Sequence, residues 1–402
     1  MKTSSNEYKY QHLGKVFRLV EQFELISRTD LAKLSGFAPA SMTMLTKTLI
    51  EHKFILERAS QNLPSRGRPA VGLSVSPFYW HFVCLTISSN KLAISLCELN
   101  GQAVQQADYT VDKAEYPHLT EAIFARLQHF MANHPLDQAQ ILAVSISVLG
   151  KINAEKTAIT QLGQHSVQCP LSTSLAEMFH CPILLNEHFQ LWFLAESTLG
   201  SLISNDNVIF LQLDDTINLS VLLKGKLLHQ DEHKRMNVDK MIMPKFSPLS
   251  EEIAAEMDEM QRFQLANQVT LPALTRLIDR YLPNTQEGVL PKIQWFCQCV
   301  ERQNPHALAI LEHLSDNLAY MLMNLINIFS TEKIMLNSPL LHIKTPLFER
   351  VQAKLGQNLL RHDLNIDLVT SQYDWNSPLI PAVAIKLGIY KGNLLKNLIE
   401  FK

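Results

Sequence analysis

The sequence predicts a mixed α/β chain: a small helical unit closed by a two-stranded hairpin, followed by two α/β lobes of similar plan. Three observations carry this expectation. Two short helical patterns between Ser27 and Leu49 are joined by a break at Ser35-Gly36-Phe37. Two strand-like runs, Phe54–Arg58 and Val71–Val75, flank the turn Pro64-Ser65-Arg66-Gly67-Arg68-Pro69. After Pro77 a three-strand meander opens a succession of helices and strands, and a second such opening starts at Val208. With 402 residues, 47% of them apolar, the chain is long enough for two to three domains with a substantial core.

Taken in order, residues 1–10 are polar and expected to be disordered. Leu13, Val16, Phe17, Val20 and Phe23 recur at helical spacing and form a first helix. The Ser27 hydroxyl can accept a free N–H of the next helix, on which Leu31 and Leu34 share a face. Gly36 can take positive φ and end that helix. Pro39 suits the first turn of the following one, where its missing N–H has no partner. Met42, Leu45 and Leu49 then make an inner face, leaving Ser41, Thr43, Met44, Lys47 and Thr48 largely outside. Small hydroxyls and a lysine on an outer face suit a major groove. Two arginines around a glycine, stiffened by prolines, can enter a narrow A·T-rich minor groove.

The unit therefore reads as a winged helix-turn-helix. Its candidate DNA contacts are Arg28, Pro39, Ala40, Ser41, Thr43, Met44, Lys47 and Thr48 from the helices. Arg66, Gly67, Arg68 and Pro69 come from the wing. Charge agrees: residues 1–76 hold 11 Lys/Arg against 6 Asp/Glu, in a chain of formal net charge −2. The bland alternative is a small helical subdomain with a solvated basic loop.

Downstream, His81–Ile87, Leu92–Leu99 and Ala103–Tyr109 read as strands with a turn at Asn100-Gly101. A helix over 117–133, the strand Ile141–Val148, the helix Leu171–Phe179, the strand Ile183–Leu185 and the helix His188–Leu199 follow. Strands at Val208–Leu213 and Leu219–Leu223 restart the cycle, and 230–248 reads as a loop. Helices are expected over 250–267, 271–282, 289–302, 305–330 and Pro346–Leu360, with strands at Lys333–Leu336 and Ile366–Val369. One broken or two short helices complete Pro378–Ile399. The domain limits are then 1–76 for the winged unit, 77–190 completed by 376–402 for the first lobe, and 191–375 for the second. The similar openings point to a duplicated, actin-like architecture.

No apolar run is long enough to span a bilayer and the N-terminus is unlike a signal peptide, so a cytoplasmic location is expected. Of six cysteines, Cys84, Cys97, Cys169, Cys181, Cys297 and Cys299, only the last two are close, with no histidine at ligand spacing. They read as buried reduced thiols, and no cofactor is expected.

The motif Ser27–His52, together with the linker Arg66–Gly72 (RGRPAVG), resembles the DNA-binding domain of ROK-family repressors of the Mlc/NagC type. Asn324–Ser338 (NLINIFSTEKIMLNS) is similar to that family's NLFNP-x-K-I-x-I-G-S segment, and Ile389–Leu398 to its last helix. The resemblance implies a two-lobed actin-like sugar-kinase fold behind a winged helix-turn-helix, double-stranded DNA as partner, and a homodimer.

The middle of the chain departs from the family, and the departures bear on chemistry. Where ROK kinases carry D-x-G-G-T, this chain has Leu85–Ser89 (LTISS). Where they carry G-x-G-A-G, it has Thr216–Ser220 (TINLS). Those glycines let backbone N–H groups approach phosphates closely, so ATP has no cradle in either place. The family's aspartate falls on His188, or on Glu187 after a shift of one residue. Its E-x-G-H sugar and zinc motif falls on Asn237–Lys240 (NVDK), and an ammonium at Lys240 has no lone pair for a metal. The zinc cysteines are replaced by Pro244–Pro248 (PKFSP), and Glu251 alone matches a sugar-contacting glutamate. Glu187, His188, Asn237, Lys240 and Glu251 are thus a vestigial sugar site, and no catalytic or metal residue is assigned. Asn186–His188 has an ordinary reading too, as a polar helix N-terminus.

Three functions compete. The first is a DNA-binding repressor of sugar uptake or metabolism genes, controlled by a protein effector or its own level. The second is a repressor that senses a sugar or sugar phosphate through a rebuilt pocket. The third, a sugar kinase, lacks the phosphate glycines. The apolar residues Ile385, Ile389, Leu394, Leu395 and Leu398 are candidates for docking a second subunit or another protein, unless they close the first lobe.

Overall fold

A computed structural model describes residues 5–59, 71–133, 136–163, 165–228, 236–358 and 366–400. The backbone divides into two compact units, residues 1–195 with 373–402, and residues 196–372.

The first unit begins with helices α1 (Ser5–Phe23), α2 (Arg28–Ser35) and α3 (Pro39–Glu51) and an antiparallel pair, β1 (Ile55–Ala59) and β2 (Val71–Val75). Helix α1 starts at Ser5, inside the stretch expected to be disordered, because Tyr10 and Leu13 already reach the core. Leu31 is buried but Leu34 is half exposed, so the short α2 presents a narrower apolar face than the spacing implied.

Next come β3 (His81–Ile87), β4 (Lys91–Glu98), β5 (Ala103–Thr110), α4 (Leu119–Ala132), β6 (Ile141–Val148), β7 (Gly150–Ile152), β8 (Ile159–Leu162), β9 (His165–Cys169), α5 (Leu171–Phe179), β10 (Ile183–Glu187) and α6 (His188–Thr198). Five of these strands form a sheet in the order β10-β6-β3-β4-β5. Its β3–β4 and β4–β5 pairs are antiparallel, its β3–β6 and β6–β10 pairs parallel. Strands β3 and β6 are buried at every position, as central strands covered on both faces must be. Strands β7, β8 and β9 make a small separate sheet. Among the six cysteines only Cys181 is half-buried; the other five are buried, and all are free.

The second unit repeats the plan. Strands β11 (Val208–Leu213), β12 (Ile217–Leu223) and β13 (Lys226–Leu227) lead to short helices α7 (Leu249–Glu252), α8 (Glu259–Arg262) and α9 (Ala266–Val269). Longer helices follow: α10 (Leu271–Tyr281), α11 (Val289–Glu301) and α12 (Pro305–Phe329). Then come β14 (Lys333–Asn337), α13 (Lys344–Asn358) and β15 (Asp367–Val369). The order β13-β12-β11-β14-β15 matches the first sheet strand for strand, with the same antiparallel and parallel pairs. The helix expected over 250–267 is instead three single turns, since Asp258 caps a new start and Leu265 and Met243 turn inward to the core.

Helices α14 (Leu379–Tyr390) and α15 (Asn393–Glu400) return to the first unit. Their apolar residues are not a free docking face. Ile385, Ile389, Leu394 and Leu395 lie in one cluster with Leu13, Val16, Phe17 and Val20 of α1, Leu45 and Leu49 of α3, and Phe82 of β3. Full burial of such side chains contributes about 1.5–3 kcal/mol each, so the helical unit draws much of its core from outside itself. Gly14 lets α1 approach closely: a Cβ there would sit 2.3 Å from the carbonyl oxygen of Tyr390. At the same crossing Lys386, 2% exposed, donates to the Glu21 carboxylate and to the carbonyl of Asn100, while the Tyr390 hydroxyl donates to the other Glu21 oxygen. Trp80 Nε1, just before β3, donates at 2.8 Å to the carbonyl of His52, the residue that caps the end of α3.

Candidate nucleic-acid interface

Helix α2 starts where Ser27 Oγ accepts the N–H of Asp30 at 3.1 Å. It ends at Gly36, whose φ of 74° lies in the left-handed region and whose N–H reaches the carbonyl of Ala32. Lys15 of α1 donates to the carbonyl of Ser35 at 2.8 Å, placing a cation at the helix C-terminus where the dipole favours it. Two residues beyond Gly36, Ala38 takes an extended conformation and Pro39 opens α3. Met42, Leu45, Thr46 and Leu49 face inward. Pro39, Ala40, Ser41, Thr43, Met44 and Lys47 are exposed, and Thr48 is half-buried.

Not every candidate cation points outward freely. Arg28 donates to Glu57 Oε1 at 2.6 Å and to Thr46 Oγ1 at 3.0 Å, which orients its guanidinium along β1. Both partners are a third to a half exposed, so the pair contributes less than about 1 kcal/mol and can be exchanged for a phosphate. Lys47 lies 3.7 Å from Glu51. The wing residues Arg66, Gly67, Arg68 and Pro69 fall outside the described residues.

Of the candidate sugar-site positions, His188, Asn237 and Glu251 are engaged by neighbours. Glu187 ends β10 and His188 opens α6, both buried. His188 Nδ1 lies 2.7 Å from Ser147 Oγ, its ring meets Trp192 edge to face, and burial pushes it down to about 3. Its Nε2 meets no hydrogen-bond partner among the described residues. In the second unit Asn237 accepts the N–H of Asp239, Glu251 pairs with Lys245 at 2.6 Å, and Lys240 is exposed. The segment from 236 to 265 is held by Val238, Met243, Ile253 and Leu265, all buried in that unit's core. Among the described residues no three His, Cys, Asp or Glu side chains come together as metal ligands. In the β3–β4 turn the Ser88 N–H donates to Lys91, and the N–H groups of Asn90 and Lys91 donate to Ser88 Oγ, so these amides face inward rather than toward a phosphate.

His188 sets a pH dependence. Its folded pKa lies below the ordinary value near 6.5, so the unfolded chain takes up a proton that the native state refuses. Its contribution is complete above about pH 6.5 and shrinks by about 1.4 kcal/mol per pH unit as the pH falls toward 3. Denaturant melts of wild type and His188→Gln at pH 5 and 7 should show the variant losing less stability on acidification. Equal losses would place the acid sensitivity elsewhere.

The ROK family model matches residues 82–232. Over 98% of this chain and 97% of that protein, the sequence is 23% identical to the DNA-binding transcriptional repressor Mlc of Escherichia coli K12. It is 20% identical over 98% of the chain to the DNA-binding transcriptional dual regulator NagC of the same strain, covering 96% of it. Among solved structures, a ROK family transcriptional regulator described as a homolog of E. coli Mlc superposes with TM-score 0.79 at 24% identity, over 98% of this chain and all of that one. The ROK hexokinase of Thermus thermophilus superposes with TM-score 0.58 at 14% identity, over 75% of this chain and 96% of that one. No helix among the described residues is long and apolar enough to cross a membrane.

Proposed function

Starting from the ROK-family domain that this chain carries, we propose that the protein is a sequence-specific DNA-binding transcriptional repressor of sugar uptake or metabolism genes, acting in the cytoplasm as a homodimer. The observation that carries this reading is the full-length similarity to the Mlc and NagC regulators, which extends through α1–α3 and the β1–β2 hairpin. In this reading the helices and hairpin are a winged helix-turn-helix. Helix α3 enters the major groove, and Arg66 and Arg68 reach the adjacent minor groove. The lobes regulate rather than phosphorylate, since neither LTISS nor TINLS offers a glycine-rich phosphate loop.

Selection of duplexes from a random pool, followed by affinity measurements over a range of salt, tests it. Arg66→Ala and Arg68→Ala should each weaken binding by about 1–3 kcal/mol, chiefly on sites with A·T-rich flanks. Lys47→Ala should lower the salt slope by about one. Unchanged affinity in the double arginine variant would sink this docking.

A second reading, a sensor of a sugar or sugar phosphate, is favoured by one observation: His188 Nε2 is buried and unpartnered among the described residues, as a group awaiting a hydroxyl would be. Micromolar uptake of a hexose or its 6-phosphate in calorimetry, with release from DNA, would establish it over control by a protein effector.

A further inference from the structure

Helix α3 turns an apolar stripe outward. Ala40, Thr43, Met44, Lys47 and Thr48 recur at i, i+3, i+4, i+7 and i+8, the spacing of one helix face. The two threonines do not present their hydroxyl protons there. Thr43 Oγ1 donates to the carbonyl of Pro39 at 3.0 Å, and Thr48 Oγ1 donates to the carbonyl of Met44 at 3.1 Å. A threonine bonded back to its own helix in this way has its γ-methyl as the group left for an approaching partner. Between them Met44 is 57% exposed, with a flexible, polarisable thioether able to follow an uneven surface.

The stripe also holds no arginine, asparagine or glutamine, the planar side chains that pair with a purine through two hydrogen bonds, and its one cation, Lys47, sits 3.7 Å from Glu51. Arginine pairs with two acceptors of guanine, and asparagine or glutamine with the donor and acceptor of adenine. None of these stands among Ala40, Ser41, Thr43, Met44, Lys47 and Thr48. What remains is one free hydroxyl at Ser41, one ammonium at Lys47 near its own Glu51, and a row of apolar groups. Among the four unmodified bases, only thymine offers an apolar group in the major groove, its C5-methyl.

We infer that α3 reads its operator through thymine methyl groups, with Met44 as the central specificity-determining residue and the methyls of Ala40, Thr43 and Thr48 beside it. This rests on the DNA-binding reading above and deepens it. Lys47 supplies a phosphate contact, which positions the helix without choosing a sequence. Discrimination then comes from excluding water between thioether and methyl, a weak contact per base that accumulates over several thymines.

The test uses the full chain and duplexes selected from a random pool. Each thymine of the selected site is replaced in turn by deoxyuridine, which pairs identically but lacks the methyl. Affinity should fall about fourfold at each of two or more positions, the effect of one buried methyl. Met44→Ala should still bind but should lose most of the preference for thymine over uracil at the central positions. Lys47→Ala should weaken binding to both duplexes equally. Selected duplexes that bind equally well with uracil throughout, or a Met44→Ala protein with an undiminished preference, would overturn the inference while leaving DNA binding intact. A pool that yields no bound duplex would overturn the DNA-binding reading and this inference with it.

Discussion

Lys386→Met is expected to destabilise the first unit by about 3 kcal/mol, with loss of DNA binding at temperatures where the wild type still binds. The variant removes the ammonium but leaves the Glu21 carboxylate, 16% exposed, against apolar surface at the crossing of α1 and α14. Breaking a buried pair on one side costs more than removing it, because the remaining charge is neither solvated nor paired. Two features add to the loss: the carbonyl of Asn100 loses its donor, and the Tyr390 hydroxyl becomes the main donor left to Glu21. The control is the double variant Glu21→Gln/Lys386→Met, which should recover at least half of the loss. Denaturant unfolding of both proteins decides it. A single variant as stable as wild type would show that the ammonium is dispensable at this crossing.

Gly14→Ala should be comparably severe for a steric rather than electrostatic reason. The new methyl would lie 2.3 Å from the Tyr390 carbonyl oxygen and 2.5 Å from that of Ile389. Both obstacles are backbone, so no rotamer change relieves them and α1 must move away from α14. Overpacking of this kind costs about 1–3 kcal/mol when side chains can yield, and more when they cannot. Alanine favours helix by about 1 kcal/mol over glycine, which offsets only part of this. The expected net loss of about 2 kcal/mol or more is read from the denaturant midpoint. A Gly14→Ala protein more stable than wild type would mean that helix propensity outweighs the clash.

What could be read in the sequence was local. The Ser27 cap, the left-handed Gly36, Pro39 at the start of α3 and the inward Met42, Leu45 and Leu49 depend on neighbours within a few residues. So do the two meanders, whose short apolar runs and glycine turns reveal the duplicated sheets. What was missed depends on distant partners. The pairing of Arg28 with Glu57 spans 29 residues, and that of Glu21 with Lys386 spans 365. Single turns such as α7, α8 and α9 carry too few residues to show a period. The small sheet β7-β8-β9 is built from strands of three to five residues, below the length at which alternation is visible. In the candidate sugar site the substituted residue types were legible, but the inward turn of His188 toward Ser147 was not, because Ser147 lies on another strand.

The core shared by α1 and the last two helices has a consequence for synthesis. Leu13, Val16, Phe17 and Val20 leave the ribosome long before Ile385, Ile389, Leu394 and Leu395 exist to cover them. At about 5–20 residues per second, the 365 residues between Glu21 and Lys386 take roughly 20–70 s to translate. Throughout that time the nascent three-helix unit has an open apolar flank and cannot reach its final stability. A transcript cut short before residue 379 therefore yields no stable stand-alone binder to compete with the finished protein, and chaperones meet the early helices first.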